Sequence, residues 1–124
     1  MASHTHCGAF GSVMQSGLRV RFERDCARAG TTGIDAKARL LHVETMKGEV
    51  LLDVDQGIAI DPQRTFSVAT LDFLAAGGDG FDGLRTTTPL DLGVLRETLA
   101  ETLSASPVHM TATVDGRWTL VAPK

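Results

Sequence analysis

Leu18, Val20 and Phe22 alternate with Arg19, Arg21 and Glu23. A period of two puts the apolar residues on one face and the charges on the other, which predicts a strand with one wet face. Ala36 to Thr45 reads as a second strand, with Ala38, Leu40 and His42 on one face and Leu41 and Val43 on the other. Lys47-Gly48 marks a turn, and Val50 to Val54 reads as a third strand. Asp55-Gln56-Gly57 is a second turn, Ile58 to Ile60 continues extended, and Asp61-Pro62 breaks the chain. Thr65 to Thr70 predicts a short strand with Phe66 and Val68 facing one way. The period then changes. Leu92, Leu95, Leu99 and Leu103 form one helical stripe, predicting a helix over Pro89 to Ser104 that faces a sheet, with Asp91 as its N-cap. Glu97 and Glu101 fall on a solvated face. Pro107 marks the exit, and Val108 to Val114 with Arg117 to Val121 predict a closing strand pair around Asp115-Gly116.

Strands first and one helix late give an α+β fold: a mixed β-sheet packed by one long late helix in a single domain. Residues 1–12 are small and polar and read as a flexible lead-in to a domain over residues 13–124. Residues 25–35, with Gly30 and Gly33, read as a surface loop.

Composition narrows the function classes. The chain has 124 residues, 43% hydrophobic and 22% charged, which suits a globular domain with a core. Its net charge is -3 and no Lys/Arg cluster is long enough to follow a phosphate backbone, which argues against nucleic acid. No apolar run approaches the ~18 residues of a membrane span. Met1 to Cys7 lacks the basic and apolar regions of a signal peptide. The spacing of Cys7 and Cys26 leaves open a disulfide or two thiols, with the thiols the expectation.

Most of the chemistry lies in Phe73 to Phe81. One helix-like turn, Phe73-Leu74-Ala75-Ala76, leads into Gly77-Gly78-Asp79-Gly80. The glycines permit positive φ and let a flat ligand approach the backbone. Asp79 can accept hydrogen bonds from two neighbouring hydroxyls, as a ribose offers. Phe73 offers a ring for base stacking, worth about 1–3 kcal/mol per base. The bland alternative is a core phenylalanine beside an ordinary turn, and Phe81 is expected to pack under the loop. Gly77 to Leu84 also fits one copy of a calcium-binding nonapeptide, a motif that needs stacked copies to form its site.

Thr65 to Phe81 reads T-F-S-V-A-T-L-D-F-L-A-A-G-G-D-G-F, and it closely resembles the signature of the 5'-nucleotidase C-terminal domain. Ile60-Asp61-Pro62, Ser16-Gly17-Leu18-Arg19 and Val114-Asp115-Gly116-Arg117 also look like that family, so the resemblance runs from about Gly8 to Arg117. It implies the substrate-recognition domain of a metallophosphatase 5'-nucleotidase or UDP-sugar hydrolase. In that family an N-terminal domain with two divalent metal ions activates the water that attacks the 5'-phosphate. The C-terminal domain holds the nucleoside and moves to deliver it. Carried over, Phe73 is one of two aromatics sandwiching the base, Asp79 binds the ribose hydroxyls, and Gly77 and Gly78 shape the loop.

Two departures matter. Leu71 stands where the family often has Asn. The family's second stacking aromatic and its substrate-binding arginines precede the stretch matching residues 8–19, so the chain is expected to be truncated on its N-terminal side; Phe10 is not assigned to that aromatic. No Asp-x-His, Gly-Asn-His-Asp/Glu or Gly-His-x-His set occurs. No catalytic residue, metal ligand or cofactor is therefore assigned to this chain. The two metal ions belong to the parent's N-terminal domain, and hydrolysis to the parent hydrolase. The resemblance implies a nucleoside or 5'-nucleotide and a metallophosphatase domain as partners, and a periplasmic or secreted parent. The alternative is a non-catalytic protein-interaction module with a vestigial nucleoside site. Self-association is expected if apolar surface is left open.

Among the other residues, His4-Thr5-His6-Cys7 could supply metal ligands but reads as a mobile terminus. His42 and His109 read as ordinary packed or surface residues, Arg85 as a surface residue within reach of a phosphate, and Trp118 as core.

Overall fold

The structure is a computed structural model that describes residues 5–7, 15–86, 88–105 and 113–122. Four strands form one mixed sheet: β1 (Leu18–Glu23), β2 (Arg39–Thr45), β3 (Val50–Asp53) and β4 (Trp118–Val121). Their order is β3-β2-β1-β4. β1 with β2 and β2 with β3 are antiparallel, while β4 lies parallel to β1. The helices are α1 (Asp72–Ala75) and α2 (Leu95–Ala105). The result is α+β with a mixed sheet, as the pattern predicted, but the late helix is only 11 residues long. The chain groups into two compact units, Met1–Val68 with Asp115–Lys124, and Ala69–Val114.

The core of the first unit follows from β1. Val20 is buried with Val43 and Leu51, and Leu18, Leu40, Leu52 and Trp118 pack against them. Phe22 is wholly buried, its ring centroid 4.7 Å from that of Trp118. Burying such a side chain contributes about 1.5–3 kcal/mol. Trp118 is thus a core residue, as expected.

Strict alternation mis-assigned β2. Leu40 and Val43 both pack in the core, because Leu41 is an extra residue of β2 opposite Arg21 and Phe22, and the register skips it. One extra residue turns the following side chains over. A second irregularity, between Val43 and Glu44, shifts the pairing with β3. The β2–β3 turn forms at Lys47-Gly48 as predicted, with the Thr45 amide donating to Glu49 O at 2.8 Å. Gly57 closes the next turn, and Ile58 exchanges both backbone bonds with Asp53.

Two other expectations are corrected, and a third is met as far as the described residues go. Thr65 to Thr70 forms no strand; Phe66 and Val68 are exposed. That region is held by side chains instead of a ladder. Arg64 makes a bidentate pair with Glu49, at 2.6 and 2.8 Å, and its guanidinium lies over the Phe66 ring. Trp118 to Val121 of the expected closing pair does form a strand, β4, parallel to β1 on one side; residues 108–112 of its expected hairpin partner lie outside the described residues. The helix starts at Leu95, not Pro89, and its stripe is exposed, Leu95 at 61% and Leu99 at 52%.

Residues 5–7 of the predicted lead-in are tied to the predicted surface loop. Cys7 and Cys26 form a disulfide, so the expectation of two thiols is wrong. His6 bridges Ile34, and the Cys7 amide donates to Gly33 O at 2.7 Å. His4 and residues 8–14 lie outside the described residues.

Candidate functional site

The loop begins where α1 makes a single turn. The amides of Ala75 and Ala76 donate to Leu71 O and Asp72 O, each at 2.9 Å. Leu71 occupies the N-cap and contributes no side-chain bond. Asp72 accepts the Phe73 amide at 2.7 Å. Gly77 then adopts a left-handed conformation, φ 88°, that a residue with a Cβ enters only with strain. Gly78 to Gly80 form a tight helical turn closed by the Phe81 amide donating to Gly78 O at 3.1 Å. Asp79 has φ 51° and is the one non-glycine with positive φ among the described residues. Asp tolerates this region better than most residues, so it can hold a carboxylate at the turn's bend.

The two first glycines make room for two different side chains. A Cβ at Gly78 would collide with the Phe73 ring. The ring therefore rests against Gly78, and Phe73 remains 56% exposed. A Cβ at Gly77 would collide with Arg85. Arg85 Nε donates to Ala76 O at 2.9 Å and lies 3.4 Å from Asp82 Oδ1. Phe81 is half-buried, and the Leu84 amide donates to its carbonyl.

Phe73, Gly77, Gly78 and Asp79, all chosen from sequence, thus fall in one short loop. Chemically it offers an aromatic ring backed on one side by a glycine, and a carboxylate one residue further on. The packing of Arg85 on Gly77 was missed. An arginine eight positions after a glycine carries no periodic signal, so only the folded loop reveals the contact.

Two carboxylate clusters lie in the other unit. Asp35 is 1% exposed and accepts the amides of Asp25 (2.7 Å) and Lys37 (3.0 Å) and the Arg28 guanidinium (2.9 Å). The Arg28 hydrogen bond, then the two amides, hold its carboxyl well below the usual carboxylate range. On the polar sheet face His42 Nδ1 lies 2.9 Å from Asp53 and Nε2 lies 3.4 Å from Glu44. His42, with the Gln56 amide, lowers the Asp53 pKa. Both ring nitrogens face carboxylates, so His42 serves the sheet and has no free nitrogen for catalysis. Cys7 is spent in its disulfide and is lost to the His/Cys metal set considered at the N-terminus. Among the described residues no group of three His, Cys, Asp or Glu is arranged to hold a metal ion. No described helix is long and apolar enough to cross a membrane.

No family model, no curated protein and no solved structure matches this chain.

Proposed function

We propose that this chain is a nucleoside- or nucleotide-recognising module of the metallophosphatase 5'-nucleotidase type, acting on substrate whose phosphoester is hydrolysed elsewhere in the parent enzyme. The observation that carries this reading is the open Phe73 ring, supported by Gly78 next to the left-handed Asp79. Phe73 stacks the base, Asp79 accepts the ribose hydroxyls, and Gly77 and Gly78 keep the loop narrow enough for both. In this reading a metallophosphatase partner domain with two divalent ions provides the activated water that acts as nucleophile. The Cys7–Cys26 disulfide supports a periplasmic or secreted parent, because disulfides persist in oxidising compartments.

Calorimetric titration with adenosine and with a 5'-mononucleotide tests this. Phe73→Ala is expected to weaken binding at least about fivefold, from the 1–3 kcal/mol of one stacking contact. Asp79→Ala is expected to weaken both ligands alike, since it acts at the ribose. Binding unchanged by both substitutions would sink the assignment.

A second reading is favoured by the exposed leucine stripe of α2. A protein-interaction module would use it for association, with the nucleoside loop vestigial. Sedimentation would then show concentration-dependent association that Leu95→Lys with Leu99→Lys abolishes. Monomers at all concentrations would count against it.

A further inference from the structure

We infer that Arg85 is a positioning residue, a latch that holds the Gly77–Gly80 turn in the shape that presents Asp79. The ligand half of this inference rests on the nucleoside reading above; the latch itself does not. The last carbonyls of a helical turn have no partner within the turn. Ala76 is the C-cap of α1, and Arg85 supplies the partner through Nε at 2.9 Å. A cation is favoured at that end of the turn. Meanwhile the Cγ and Cδ of Arg85 lie where a Gly77 side chain would be. Gly77 therefore does two things: it takes the left-handed bend, and it lets the arginine stem reach across to the carbonyl behind it. Asp82, three residues before Arg85, lies 3.4 Å from the same Nε and adds a weak, exposed charge contact. Asp79 sits between these anchors in the chain, so its conformation depends on both.

The test compares the full chain with Arg85→Ala and Arg85→Lys by amide hydrogen exchange without ligand, by thermal melting, and by titration with adenosine. In Arg85→Ala the hydrogen-bonded amides of Gly77 and Phe81 should exchange about fivefold faster, with adenosine affinity about fivefold weaker. The melting temperature should change by no more than about 2 °C, because the residue is exposed and the opening is local. Arg85→Lys keeps the charge at the end of the turn and should recover part of both effects. Unchanged exchange in Arg85→Ala would overturn the latch, whatever adenosine does. Faster exchange with unchanged adenosine affinity would overturn its positioning role. If the wild-type chain binds no adenosine, the nucleoside reading fails, and the exchange rates alone still decide whether Arg85 latches the turn.

Discussion

Asp35 shows how one side chain can organise a loop of small residues. It gathers two backbone amides and a guanidinium in a site closed to water. Its carboxyl titrates well below the usual range, so its stabilisation is fully present above the unfolded carboxylate value of about 4 and is lost as pH falls toward the depressed folded value. Asp35→Asn should lower the melting temperature at pH 7 by about 5 °C, because it removes the charge-assisted pair with the partly exposed Arg28. The gap between wild type and variant should close progressively as pH drops below about 4. A gap that is the same at pH 7 and pH 2 would contradict this role. The sequence hid Asp35. An aspartate in a Gly- and Thr-rich stretch reads as a turn residue, and nothing in the spacing ties it to Arg28. Phe73 and Asp79 were legible because their neighbours form a long, ordered motif. Arg85 was legible only as a charge.

At the scale of elements, local rules succeeded where an element's own residues decide its form. The alternation of β1, the turn at Lys47-Gly48 and the single turn of α1 are all of this kind. They failed where a partner decides. Leu41 is the extra residue of a bulge, and no period reveals which residue a neighbouring strand will skip. Thr65 to Thr70 has strand-like residues but no ladder. Asp91 was expected to cap a helix, but it accepts the Gly93 amide at 2.8 Å, and Gly93 at φ 100° delays the helical geometry until Leu95. The N-cap of α1 offers a direct test. Leu71 is exposed, has extended backbone angles and makes no capping bond. Leu71→Asn should satisfy an orphan amide and stabilise the turn by about 1 kcal/mol, seen as slower amide exchange at Ala75 and Ala76. Equal or faster exchange would show that the turn is not limited by its cap.

Two exposed features stand out among the described residues of the molecule. One is the loop of Ala69–Val114, where an aromatic ring and a carboxylate are held by glycines and an arginine. The other is the leucine face of α2, apolar and open. In that loop the Phe73 ring rests against Gly78, and Asp79 follows with a left-handed backbone. The nucleoside reading proposed for this chain turns on whether a nucleoside binds at that loop. The most direct measurement is an adenosine titration followed amide by amide in solution. Saturable shifts centred on Phe73 and Gly77 to Gly80 are expected, and they should be absent in Phe73→Ala. Shifts centred on other residues, or none at saturating adenosine, would contradict the nucleoside site.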